Sequence, residues 1–206
     1  MERFFDLRSF EHKDLFENCK HPWDALKNIK KYLESRELGM ILGEISPQAY
    51  LINPESISIG KGTKVEPGAY IEGPCIIGEN CEIRHGAYIR PGVITGNSCV
   101  IGHATEVKHS IFLNGAKAAH FNYVGDSILG DGVNLGAGAK LANFRLDGKE
   151  VIIYLNNERI ASGLKKLGAI IGDRANLGCN CVTNPGTIIG KLASCFPCTS
   201  IKGHIL

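Results

Sequence analysis

Residues 59–93 read IGKGTKVEPGAYIEGPCIIGENCEIRHGAYIRPGV. A branched apolar residue stands at every sixth position: Ile59, Val65, Ile71, Ile77, Ile83 and Ile89. A second row of small residues runs in step, four places on: Thr63, Ala69, Cys75, Cys81, Ala87, Val93 and Cys99. A period of six is neither the helical one of about 3.6 nor the strand one of about 2. It is the hexapeptide repeat of a parallel β-helix, in which each repeat makes one flat side of a triangular coil. The branched residue points inward, and the small one fits the corner where two sides meet.

Outward from this stretch the register continues through Ile101, Val107 and Leu113. It slips near His120 and resumes at Leu129, Leu135 and Leu141. After an interruption it returns as Ile171, Leu177, Thr183, Ile189, Cys195 and Ile201, with Ala175, Cys181, Thr187, Ala193 and Thr199 in the small row. Roughly twenty hexads, three to a coil, predict about six to seven coils. One coil cannot bury its own apolar row, so the coils stack into a continuous core whose ends need caps. The period does not give the hand of the coil, and parallel crossovers are in general right-handed.

Two segments stand outside the repeat. Residues 1–58 form an N-terminal helical cap and lead-in, ahead of a β-helix over 59–206. In 1–38 an apolar set (Phe4, Phe5, Leu7, Phe10, Leu15, Phe16) lies among charges. Pro22 fits a helix start, and Trp23, Leu26, Ile29 and Leu33 then recur at helical spacing. This segment is expected to pack on the first coil. Residues 143–168 interrupt the coils. Val151 to Leu155 is strand-like and Asn156-Asn157 is a turn, so a β-hairpin arm is expected. Insertions in a solenoid leave one face and often carry binding groups. The arm's apolar centre suggests contact with a neighbouring subunit.

At 206 residues with a net charge of +2, the chain holds one elongated domain plus a small cap. The mixed surface speaks against nucleic-acid or polybasic membrane binding, and the longest apolar runs are too short to span a bilayer. Met1 to Asp6 lacks a signal-peptide pattern, so a cytoplasmic location is expected. Cys179-x-Cys181 and Cys195-x-x-Cys198 look like two metal half-sites. The repeat offers a plainer account, because Cys75, Cys81, Cys99 and Cys181 fall in the small row and Cys195 in the apolar row. A free Cys behaves as a small buried hydrophobe. Residues two apart on a strand face opposite ways, which sets Cys179 and Cys181 apart. No metal is expected.

The reactive side chains gather where the repeat slips: Lys117-Ala-Ala-His120-Phe-Asn-Tyr123-Val-Gly-Asp126. Arg90, Glu106 and Lys108 stand upstream, and Asn134, Asn143, Arg145 and Lys149 downstream. Arg90, Lys108 and Lys149 are natural anchors for a phosphate. Arg90 and Lys108 are 18 residues apart, which in a regular coil places one above the other. His120 is the histidine close to both a tyrosine and this basic set, and a neutral imidazole suits a general base.

The stretch IRPG…EVK…KAAHFNYVGDSILGDGVNLGAGAKLANFRLDGK resembles the acetyltransferase domain of bifunctional sugar-phosphate enzymes, which acetylate glucosamine-1-phosphate and then make UDP-N-acetylglucosamine. It is most similar to the archaeal type, whose arm reads much like LANFRLDGK…RIASGLKKLGAIIGD. The K-A-x-H-x-x-Y-x-G-D and A-N-x-R-x-D-G-K pieces carry the specificity. The resemblance implies an all-β, left-handed coil and a homotrimer with its sites between subunits. It also implies acetyl-CoA as co-substrate and an amino-sugar phosphate as acceptor. His120 would take a proton from the sugar amine, with Asn143 orienting that amine. Arg90, Lys108, Tyr123 and Lys149 would hold the sugar phosphate, Asn134 would orient the sugar, and backbone groups near Gly136, Ala137 and Cys179 would line the acetyl-CoA channel.

The chain departs from that pattern in several places. The nucleotidyltransferase half and its GxGTR-like loop are missing, so uridylyl transfer is not expected from this chain alone. Phe144 stands where bacterial members have Tyr, Cys179 where they often have Ser, and Leu206 closes the chain without the basic tail that grips coenzyme A. Two other functions compete. One is a non-catalytic trimeric subunit that partners a separate nucleotidyltransferase. The other is a γ-type carbonic anhydrase using zinc, for which His85, His103, His109 and His120 are candidates. No two of these four have that family's five-residue spacing.

Overall fold

The computed structural model describes residues 1–156 and 158–206. Strands of two to four residues stack in parallel into three eight-stranded sheets. The first sheet starts at Glu44–Ile45, the second at Tyr50–Ile52 and the third at Ile57–Ile59. Together they are the three sides of a left-handed parallel β-helix. The inward rows form one core running its length, from Ile57 and Ile59 through Ile77, Ile101 and Leu135 to Ile201.

The sequence count of six to seven coils falls short of the eight strands in each sheet. One reason lies in the lead-in. Glu44 pairs with Lys64, and Tyr50 with Tyr70, so the coils begin inside residues 39–58. The other reason lies in the slip. The inward row steps from Val107 to Phe112 and from Val124 to Leu129, a five-residue step in each case. Leu113, expected inward, packs instead in an outer cluster. Two hexads have lost one residue each, and the coil carries on. Both shortened corners turn through a left-handed residue, His109 (φ 44°) and Asp126 (φ 48°).

The N-terminal segment does not sit on the first coil. It lies along the outer side of the third sheet, where Ile76, Ile94, Ile111, Ile128, Ile170 and Ile188 are paired in register up successive coils. Phe4, Phe5, Phe10, Trp23, Leu26 and Ile29 cover that ladder. Only Lys13–Phe16 (a 3-10 turn) and α1, Asp24–Glu34, are helical there. α1 buries Leu26, Ile29 and Leu33 on one face, as their spacing predicts. Each isoleucine so covered contributes about 1.5–3 kcal/mol of burial. The cap is therefore the second half of a second core.

The interruption is a hairpin, Ile152–Leu155 paired antiparallel with Glu158–Ala161. Asn156 turns left-handed, and Asn157 of the expected turn lies outside the described residues. The arm's apolar centre does not await a neighbouring subunit, because Val151 and Ile153 are buried within this chain's own outer cluster. The insert leaves the coil at Asn143 and returns at Leu167, whose N–H donates to Asn143 O at 2.9 Å. Among the described residues no helix is long and apolar enough to cross a membrane.

Candidate active site

The second sheet separates two corners, and the site residues divide between them. At the corner leading into it, backbone bonds climb one column. Phe121 N donates to His103 O at 2.8 Å, Gly138 N to His120 O at 2.9 Å, Asn180 N to Ala137 O at 2.8 Å, and Cys198 N to Cys179 O at 2.8 Å. His103, His120, Ala137 and Cys179 thus follow one another up successive coils. Each corner turns through a left-handed residue or glycine: Ala104, Phe121, Gly138 and Asn180.

Below His120 the column is made of histidines. His103 pairs in register with His120. The rings of His85 and His103 stack at 5.3 Å and 9°. Nδ1–H of His85 donates to Pro67 O at 2.7 Å, and that of His103 to His85 O at 2.9 Å. The His120 ring is exposed and makes no hydrogen bond among the described residues; its backbone N–H donates to Asn122 Oδ1 at 3.1 Å.

Above His120 the expected co-substrate residues differ in what they offer. Gly136 is occupied: its N–H donates to Leu177 O at 2.7 Å, and its carbonyl accepts from Asn122 Nδ2 at 2.8 Å. The N–H groups of Ala137 and Cys179 donate to nothing among the described residues. These two unused donors lie in the same column as His120.

The opposite corner, leaving the second sheet, holds a polar cluster. Val107 pairs with Ile89 and with Val124, so Arg90, Lys108 and Gly125 follow one another up the same side. Arg90 and Lys108 do share a face, but each already has an anion. Arg90 Nη1 is 3.0 Å from Glu106 Oε1, and Lys108 Nζ is 3.2 Å from Asp126 Oδ2. His109 Nδ1 also reaches Asp126, at 3.1 Å. Asn143 Nδ2 donates to Asp126 and, at 3.2 Å, to Tyr123 Oη. Burial, together with the charge of Glu106, pushes the Tyr123 phenol up, so it stays a protonated donor.

The remaining expected residues stand elsewhere. Asn134 is on the outer side of the first sheet, paired with Lys117 and Asn176. Lys149 is exposed on the arm, with Arg145 nearby paired to Asp147 at 2.7 Å. Asp126 and His109 enter the cluster although the sequence assigns neither a role in binding the sugar phosphate. Their signal is the five-residue step, which falls on KHSIF and GDSIL. Among the described residues no three of His, Cys, Asp and Glu group so as to hold a metal ion.

Residues 71–162 match the GMPPB C-terminal domain, and residues 168–193 the hexapeptide repeat of succinyl-transferase. A bifunctional sugar-1-phosphate nucleotidylyltransferase/acetyltransferase of Sulfurisphaera tokodaii is 44% identical over 88 residues, 43% of this chain and 22% of that protein. The bifunctional protein GlmU of Methanococcus maripaludis strain S2 is 33% identical over 185 residues, 90% of this chain and 44% of that protein. A solved UDP-N-acetylglucosamine acyltransferase of Francisella novicida is 16% identical with a TM-score of 0.44, covering 79% of this chain and 62% of that one. The chain thus spans less than half the length of the curated relatives named here. The chain carries a GMPPB C-terminal domain and hexapeptide repeats, and its bifunctional sugar-1-phosphate nucleotidylyltransferase/acetyltransferase relatives match it over the C-terminal half of their own length.

Proposed function

We propose that the chain is a CoA-dependent N-acetyltransferase that moves acetyl from acetyl-CoA to the amine of an amino-sugar phosphate, with glucosamine-1-phosphate the first candidate. The observation that carries this is the division of labour across the second sheet. One corner presents an unengaged imidazole in line with two unused N–H donors. The other presents Tyr123 and Asn143 beside Arg90 and Lys108.

In this reading the sugar lies across the second sheet with its amine between His120 and Asn143. His120 removes a proton as the nitrogen attacks the thioester carbonyl. The C–N bond forms, the C–S bond breaks, and the proton passes from the imidazole to the departing thiolate. An N–H of Ala137 or Cys179 is placed to meet the oxyanion or an amide carbonyl of the co-substrate. Arg90 and Lys108 would share the phosphate with the carboxylates that already hold them. Lys149 joins only from the arm, and Asn134 only from another copy's first sheet. Both fit a homotrimer whose sites lie between subunits.

The test is thiol release from acetyl-CoA with glucosamine-1-phosphate, run beside His120→Ala. Release that needs both sugar and His120 supports the reading. General-base removal should cost about 10²- to 10⁴-fold. A folded assembly that releases no thiol sinks it and favours a non-catalytic subunit that partners a separate nucleotidyltransferase.

A further inference from the structure

Asp126 is 5% exposed, yet three donors converge on it: Lys108 Nζ, His109 Nδ1 and Asn143 Nδ2. Burial alone would lift its carboxyl. The hydrogen bonds from His109 and Asn143, with the Lys108 charge, outweigh burial and hold it below the usual carboxylate range. An ionised carboxylate can only accept. The end of Asn143 that faces it must therefore be the NH2 group. The orientation of this amide follows from chemistry rather than from an arbitrary choice between oxygen and nitrogen.

The same nitrogen also donates to Tyr123 Oη. Both of its protons are then engaged within the chain, and Oδ1 is turned away from Asp126. Among the described residues Oδ1 accepts no hydrogen bond, and it is not buried. Tyr123 accepts from Asn143 and keeps its own O–H proton to donate outward. The result is an acceptor and a donor side by side, fixed from behind by one buried carboxylate.

We propose that Asp126 is a positioning residue. By fixing the Asn143 amide it aims Oδ1 at an N–H of the acceptor's amine, and Tyr123 O–H at a neighbouring oxygen of the same molecule. This deepens the acetyl-transfer reading and rests on it. An acceptor that holds one N–H fixes the direction of the nitrogen lone pair, and misdirection by about 1 Å can cost on the order of 100-fold in rate. Lys108 and His109 serve by keeping the carboxylate ionised.

The test compares Asp126→Asn, Asn143→Asp and the double variant, in the full chain, by kcat and by KM for glucosamine-1-phosphate. Each single change should lower kcat about 10- to 100-fold, with KM moving much less. In Asp126→Asn a donor faces a donor or the amide turns round. In Asn143→Asp two carboxylates face each other. The double variant exchanges the roles: the amide now at position 126 would donate, and the carboxylate now at position 143 would keep an oxygen outward. It should recover at least about tenfold over the worse single variant, the coupling expected of neighbours sharing one bond. Melting temperatures of all three separate this from misfolding, since a structural role alone predicts no recovery of kcat in a double variant as stable as the singles. A double variant no faster than the worse single, or an unchanged kcat in Asp126→Asn, overturns the proposal. Absence of acetyl transfer in the unmodified chain removes the acetyl-transfer reading, and this proposal with it. Wild-type turnover that is indifferent to Asp126 removes this proposal alone.

Discussion

Lys108 Nζ stands 3.2 Å from Asp126 Oδ2, one coil away, so the lysine that looks like a phosphate anchor in the sequence is already half of a buried ion pair. The pair sits where the coil has lost a residue. His109 and Asp126 occupy the left-handed turns of the two shortened corners, and their side chains meet at 3.1 Å.

Removing the carboxylate leaves three donors without their partner. Asp126→Ala should lower stability by about 3–5 kcal/mol near neutral pH, the usual cost of breaking a buried pair by deleting one member. The sign of the pH dependence follows from the lowered pKa. Such a group contributes stability above its unfolded pKa and loses it as pH falls through its folded one. The gap between wild type and variant should be full at neutral pH and close below the usual carboxylate range. Urea midpoints across that range check this, and a gap that persists unchanged into strong acid would mean the carboxyl is not ionised in the fold.

A second stability prediction concerns residues that point away from the coil. Ile111 lies on the outer side of the third sheet, beneath the N-terminal cap, and is fully buried. Ile111→Ala should cost about 2–5 kcal/mol, as for a core site. An exposed outward position would cost a few tenths. Denaturant unfolding distinguishes the two, and a small effect would show that the cap does not hold the ladder in solution.

These residues mark how far the sequence can be read. Inward rows are legible because a six-residue period repeats the same physical demand, a branched side chain against the next coil. Ile76, Ile94, Ile111 and Ile128 obey a second period, in register across coils, but each sits beside an inward residue and looks like part of the same apolar run. Their role depends on the cap, and contact across so many residues leaves no local trace. The same holds for the site. His120, Ala137 and Cys179 fall in one column because corners repeat. The role of Asp126 is hidden in the sequence because its partners come from neighbouring coils and from the start of the arm. Lys149 groups with the phosphate anchors by residue type and Asn134 with the sugar-orienting residues by motif, and a single chain sets both on other surfaces.

Gly125 tests the geometry of the cluster from the backbone side. A Cβ built there would lie 2.6 Å from Asn143 Nδ2 and 2.6 Å from Tyr123 Oη. The glycine is needed for space, because the amide and the phenol lie directly over its backbone. Gly125→Ala should therefore displace both groups at once. Turnover should fall by on the order of 100-fold, with a stability cost of about 1–3 kcal/mol from overpacking. Steady-state kinetics beside thermal unfolding would check this. A variant that folds and keeps full kcat would show that neither group matters to the chemistry.

The thiols give a test that needs no substrate. Cys75, Cys81, Cys99 and Cys181 are buried, whereas Cys179 and Cys198 are exposed. Burial pushes the Cys75 thiol up to about 12, which removes its thiolate at neutral pH. The hydrogen bond from Cys99 draws the Cys81 thiol down against the opposing effect of burial. Reactivity needs access as well as thiolate, so Cys81 should still stay silent in the folded chain. Titration with an aromatic disulfide should show fast reaction at Cys179 and Cys198, slower reaction at half-buried Cys19, and the rest only on unfolding. Adding acetyl-CoA should slow Cys179, because its N–H shares the column above His120 with that of Ala137. Fast labelling of Cys81 in the native chain would contradict the packing of the inner row. Labelling of Cys179 that ignores saturating acetyl-CoA would move the co-substrate away from this corner.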